Sequence, residues 1–159
     1  MDSQFGVTNF YVEQVLSNQI RKFRGCFSID FLDDVFLRNG ESVVVNLAHS
    51  SIPVGHFVAI KKEGNSLLYF DPLFLEFEDN DLEIFLKKHE CNIFKNNIQV
   101  QSFESKKCGI FCIAFLLAME YISFKEFLNF YDEINLSKND DISDRIKNVI
   151  ISHNKNNKV

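Results

Sequence analysis

From Gly109 to Met119 the chain runs through 11 residues without a single charge: Gly-Ile-Phe-Cys-Ile-Ala-Phe-Leu-Leu-Ala-Met. The run is well short of the ~20 residues a membrane-spanning helix needs, and a helix apolar on every side has to be covered on every side. It is therefore predicted as a helix buried inside a folded domain. The composition can supply the cover: 46% of the 159 residues are hydrophobic, 18 are Phe, and there are only 6 Gly and 2 Pro. A chain of this size buries about two-thirds of its unfolded surface without metals or disulfides. We read one domain over 1–159, with the polar end from about 153 to 159 as a frayed tail.

Ahead of that run the hydrophobic period is two. Glu41 to Ala48 is rich in β-branched residues, and from Gly55 to Lys61 His56, Val58 and Ile60 alternate with Phe57 and Ala59, which predicts two strands. Lys62 to Asn65 reads as a turn, and Ser66 to Phe70 as a third strand ended by Asp71-Pro72, since proline cannot donate to a ladder. Strands two and three form a hairpin. Helices are predicted over Asn9 to Asn18 with Thr8 as N-cap, Ile29 to Arg38 with Asn39-Gly40 as the stop, and Asp81 to Lys88 capped by Asp79 or Asn80. Further helices run from Cys108 to about Tyr121, from Phe124 to about Ile134 after Ser123, and from Ile142 to about Ser152 after Asp140 or Asp141, with one more strand over Asn97 to Gln101. The fold class is α+β, a central mostly antiparallel sheet flanked by helices.

Lys and Arg number 17 against 22 Asp and Glu, a net charge of −5, so no global positive field is available to hold DNA or an anionic membrane. The pairs Lys61-Lys62, Lys87-Lys88 and Lys106-Lys107 read as solvated surface. Cys26, Cys91, Cys108 and Cys112 lack the pair spacing of metal ligands, and no metal or other cofactor is expected. The opening MDSQFGVTNF has neither a basic nor an apolar leader region, which points to a reducing intracellular compartment.

Cys108 lies where the polar loop Glu104-Ser105-Lys106-Lys107 feeds into the apolar helix. A thiol at a helix N-terminus faces the positive end of the dipole and unpaired N–H groups, which favour the thiolate, and Lys106 and Lys107 push the same way. Gly109 leaves room for a substrate backbone, and the Cys108 N–H can meet an oxyanion. A buried cysteine that merely starts a helix is the plain alternative. Of the four histidines, His153 lies in the tail, His89 ends a charged helix and His49 sits in a loop, whereas His56 is held early in a strand. The hairpin brings His56 near Asp71, whose carboxylate could take the Nδ1 proton and leave Nε2 for the thiol. Gln101, seven residues ahead of Cys108, carries a neutral amide donor suited to an oxyanion. Singly, these are also an ordinary core histidine, a turn aspartate and a surface glutamine.

The stretches Gly55-His56-Phe57-Val58-Ala59, Tyr69-Phe70-Asp71-Pro72 and Gln101 to Cys112 resemble the three active-site motifs of the adenovirus-type maturation proteases, or adenains. That family shares a fold with the ubiquitin-like-protein (SUMO) proteases and has relatives in virophages and virus-like transposons. The resemblance covers about residues 41 to 120, and its most specific part is the six-residue gap from Gln101 to Cys108 followed by Gly-x-Phe-Cys. It implies Cys108 as nucleophile, His56 as base, Asp71 as orienting acid and Gln101 as oxyanion donor. Phe57 stands where the family usually has tryptophan, and Asp71 where the adenovirus enzyme has glutamate, though aspartate is usual in the SUMO-protease branch.

The resemblance implies a thiol endopeptidase that processes viral capsid precursors, acting in the virion and at the intracellular site of assembly. The adenovirus enzyme takes DNA and a disulfide-tethered peptide as cofactors; the negative charge here argues against DNA. Cys91 falls roughly where such a tether would, or is a core or surface thiol, and an activating peptide stays open as a partner. The alternatives are a deubiquitinase-like or deSUMOylating isopeptidase, and an inert binding module that keeps the fold.

Overall fold

The computed structural model describes residues 7–48, 55–75 and 80–157. Thr8 caps the first helix, α1 (Asn9–Gln19), its hydroxyl accepting the Tyr11 N–H at 3.2 Å, and Val12 and Leu16 carry the helix into the core. The strands are β1 (Phe23–Ser28), β2 (Ser42–Asn46), β3 (Phe57–Glu63), β4 (Ser66–Phe70) and β5 (Asn92–Lys95), arranged in that order in one sheet. The three central strands pair antiparallel, as expected, and the two edge strands run parallel to their neighbours, so the sheet is mixed. Gly64, at φ +57° in the turn between β3 and β4, takes a left-handed conformation that suits glycine.

The two-residue period sorts the sheet's side chains onto two buried faces. Val44, Phe57, Ala59, Leu68 and Phe70 meet α1 and α3 (Cys108–Ala118); Val43, Val45, Val58, Ile60, Leu67 and Tyr69 meet Ile29, Leu32, Val35, Leu37 and α2 (Asn80–Lys87). Every residue of α3 from Gly109 to Ala118 is buried. Its outer cover comes from α4 (Phe124–Leu128), opened by a Ser123–Glu126 capping box, and from α5 (Asn139–Asn156). At the centre the Phe115 ring stacks on Phe70 at 4.9 Å and meets Phe127 at 5.5 Å.

Several predicted elements differ. Residues 29–38 form a single 3-10 turn, Ile29–Phe31, followed by a tight turn at Asp33 and Asp34 and irregular chain. The backbone groups that a helix would pair locally are taken by distant side chains: the Leu37 N–H donates to His89 Nε2 (2.9 Å), and Lys88 Nζ donates to the carbonyls of Leu32 and Asp33. No strand forms over 97–101; the edge strand lies earlier, at Asn92–Lys95, where all four residues are exposed and no alternation marks it. β1 went unpredicted because Arg24 and Gly25 (φ +140°, at a register shift) interrupt its pattern. α4 is shorter than expected, ending at Leu128, while α5 continues through His153 to Asn156 where a frayed tail was expected. Asp79, His49 and the loop at 50–53 lie outside the described residues.

His89 makes a pH prediction. Its Nδ1–H donates to the Phe85 carbonyl (2.8 Å) while Nε2 accepts from Leu37, an arrangement that only the neutral ring can make. Burial, aided by Lys88 and Lys62 and opposed by the Phe85 bond, lowers its pKa from 6.5. The folded state therefore resists a proton that the unfolded chain accepts, so this contribution to stability is complete above about pH 6.5 and is lost as pH falls below it. Urea unfolding should show the stability gap between wild type and His89→Leu shrinking from about pH 7 to about pH 5; a constant gap would contradict this.

Candidate functional site

The end of β2 fixes the approach to β3. The Leu47 N–H donates to the His56 carbonyl (2.8 Å), and Asn46 stands opposite Phe57 in the ladder. Gly55 passes so close to this end that an added Cβ would overlap Asn46 Oδ1 and the Ala48 Cβ. The β3–β4 hairpin, in register through Ala59 and Phe70, then sets His56 beside Asp71. Their side chains meet at 2.6 Å, His56 Nε2 to Asp71 Oδ1, and both are largely buried.

The ring is turned the other way from the expectation. Nε2, not Nδ1, faces the acid, and among the described residues the buried Nδ1 has no hydrogen-bond partner. Asp71 directly follows the adjoining strand, and the nitrogen farther from the His56 backbone is the one that spans the gap between neighbouring chains, ~4.8 Å apart in a sheet. Nδ1 is left as the nitrogen free to serve a thiol. Burial disfavours the imidazolium, but the hydrogen bond and charge at Asp71, with the Cys108 sulfur nearby, outweigh it and push the His56 pKa up to about 9.

Asp71 is held on all sides. Oδ1 also accepts the Leu73 N–H (3.0 Å), Oδ2 accepts the Leu75 N–H (3.1 Å), and its main-chain N–H and carbonyl are both bonded to the Asn96 side chain. A carboxylate with a backbone donor on each oxygen is held in one orientation toward His56.

Cys108 opens α3 and is partly exposed, with Sγ 3.8 Å from the Gly55 carbonyl. Lys107, at the N-cap, provides no side-chain acceptor to the first turn, so these N–H groups stay available to an anion. Its own charge is engaged by Asp144 of α5 at 2.7 Å, which weakens the electrostatic help expected from it. Gly109 does not face a substrate. Its missing side chain admits Val7, whose Cγ2 an added Cβ would strike, with Val12 and Phe57 behind. The other thiols sit elsewhere: Cys26 is pushed up to about 12 by burial and Glu13, Cys112 is driven well above the usual thiol range by burial, and the half-buried Cys91 donates to the His89 carbonyl.

Gln101 is buried, in a loop rather than at a strand end. Its N–H and that of Val100 both donate to the Pro72 carbonyl (3.0 Å each), which hangs this loop on the residue after Asp71. Gln101 Nε2 donates one hydrogen to the Ser105 carbonyl (2.9 Å), and among the described residues Oε1 is buried without a partner. Ser105 in turn donates to Asp140 of α5 at 2.7 Å and accepts from the Lys107 N–H. The structure thus brings His56, Asp71 and Cys108 together and joins Gln101 to them through the main chain at Pro72 and the loop at Ser105. The sequence gives no sign that Asn96, Ser105, Asp140 and Asp144 support the site, because only folding brings them to these loops.

No protein-family model and no curated protein matches the sequence. Among solved structures, the chain is similar to AvrA delL154 with IP6 and CoA, at 19% identity and a TM-score of 0.44, over 82% of this chain and 52% of that one. It therefore spans about half the length of the structure it matches.

Proposed function

We propose that this chain is a cysteine endopeptidase with Cys108 as nucleophile. The observation that carries the reading is the arrangement at the end of the hairpin: an imidazole bonded through Nε2 to a backbone-anchored Asp71, with Nδ1 uncommitted and a helix-opening thiol beside it. In the first step the Cys108 thiol gives its proton to His56 Nδ1 and Sγ bonds to the substrate carbonyl carbon, whose oxygen becomes an anion met by the Cys108 N–H and the Gln101 side-chain amide. Collapse of that intermediate breaks the C–N bond as His56 Nδ1 gives its proton to the leaving amine. Water then attacks the thioester, His56 takes its proton, and the thiolate leaves the new carboxylate.

The substrates are structural precursor proteins of a virus or virus-like element, cleaved in the assembling particle. The motif order around His56, Asp71, Gln101 and Cys108 supports this choice. The test is intact-mass analysis of the co-encoded precursors after incubation with wild type or Cys108→Ala. Cuts by wild type alone support the proposal, whereas processing of ubiquitin-like precursors only would make the protein an isopeptidase. An inert fold would show itself by iodoacetamide labelling at neutral pH: Cys108 would then react no faster than Cys91, with Cys26 and Cys112 shielded by burial in either case.

A further inference from the structure

β5 runs parallel to β4 as far as the pair Tyr69 and Lys95, and there the ladder stops, since β4 ends at Phe70 and Pro72 has no N–H to offer. The next main-chain groups, the N–H and carbonyl of Asp71, are buried and need partners. Asn96 supplies both with its side chain. Oδ1 accepts the Asp71 N–H at 2.9 Å, and Nδ2 donates to the Asp71 carbonyl at 2.7 Å and to the Ile98 carbonyl at 2.9 Å. At 2% exposure, the amide stands in for the missing rung of the sheet.

What this rung fixes is the residue whose carboxylate meets His56. Beyond it the chain turns sharply, with Phe74 at φ +52° and its N–H on the Asp71 carbonyl at 3.0 Å, so among the described residues no strand continues the ladder past Asp71 and only Asn96 ties this main chain to the neighbouring strand. The Asn96–Ile98 bond also roots the strap that continues to Val100 and Gln101 on the Pro72 carbonyl. We infer that Asn96 is a positioning residue, whose amide aims the Asp71 carboxylate at His56 and ties the Gln101 loop to the same point. This rests on the endopeptidase reading for its meaning in catalysis, but not for its test. Aspartate would lose the donor, serine reaches only one of the two Asp71 groups, and glutamine carries the amide one methylene too far.

The charged or titratable groups acting on His56 are Asp71, after β4, and Cys108, at the start of α3. The experiment follows the His56 ring by NMR titration in the full chain, for wild type, Asn96→Ala and Asn96→Ser. With the Asp71 main chain no longer tied to β5, the carboxylate and the turn that holds it can shift together, and the His56 midpoint should fall from about 9 by about one pH unit or more in Asn96→Ala and by less in Asn96→Ser. Leu82→Ala, a core truncation on the opposite face of the sheet, serves as the stability control and should leave the midpoint in place. An unmoved midpoint in folded Asn96→Ala overturns the inference; where that variant fails to fold, an unmoved midpoint in Asn96→Ser does so. Failure of the endopeptidase reading is seen separately, as a wild-type Cys108 no more reactive than Cys91.

Discussion

Turnover in a Cys108→Ala variant is expected to fall by about six orders of magnitude, the scale on which loss of a nucleophile acts in triad hydrolases. Asp71→Asn is expected to lose about four, as when the orienting acid of a triad becomes an amide. The two losses have different origins. Alanine removes only a partly exposed sulfur at the edge of the core, 3.8 Å from the Gly55 carbonyl, so the fold should be unaffected and the chemistry gone. Asparagine keeps the shape of Asp71 but not its charge. Its carbonyl oxygen can satisfy only part of what the carboxylate does for Leu73, Leu75 and His56. If its NH2 turns to His56, Nε2 has to accept, the ring proton is forced onto Nδ1, and the neutral ring can no longer act there as a base. The push from Asp71 that helps raise the His56 pKa to about 9 is lost at the same time. Steady-state kinetics on a cleaved precursor peptide, with the His56 titration beside it, is the measurement. An Asp71→Asn enzyme within tenfold of wild type would remove Asp71 from the mechanism.

Phe115→Ala is expected to destabilise the protein by about 3–5 kcal/mol, a large part of the ~5–15 kcal/mol that holds a domain of this size together. Phe115 is fully buried and lies at the meeting of four rings, stacked on Phe70, tilted against Phe124 at 4.9 Å and edge-on to Phe127. Truncation opens a cavity between sheet and helices that none of these rigid rings can fill. The position also links packing to the site. Phe70 immediately precedes Asp71, and Phe115 lies on the helix that begins at Cys108, so their stack at 4.9 Å helps set how the acid and the thiol face one another. Urea unfolding should show the loss, with Phe115→Leu costing far less because most of the volume is kept. A Phe115→Ala change below about 1 kcal/mol would mean that the core can collapse around the gap.

The elements legible in the sequence are those whose cause is local. Thr8 caps α1, Ser123 caps α4, the turn at Gly64 closes the hairpin, and the apolar run forms α3, all through bonds among near neighbours. Because the hairpin is local, the nearness of His56 and Asp71 could be read as well, whereas the orientation of the ring could not: it depends on where the acid stands on the next strand. The stretch from Ile29 to Arg38 has helix-like spacing, yet His89 and Lys88, over 50 residues away, take the polar groups that a helix would have paired. β5 exists because β4 presents an open edge, not because Asn92 to Lys95 has a strand pattern.

The sequence by itself thus determined an α+β chain with one fully buried helix, headed by a cysteine, and a hairpin ending in a histidine and an aspartate, since hydrophobic period and turn chemistry act over a few residues. Only the tertiary structure decided that Gly109 makes room for Val7, that Nδ1 rather than Nε2 is the free nitrogen, that Asp144 takes up the charge of Lys107, and that Asn96 anchors Asp71. Each of these depends on groups distant in sequence whose buried polar atoms and volumes had to be satisfied together, a condition set when the layers close and not before.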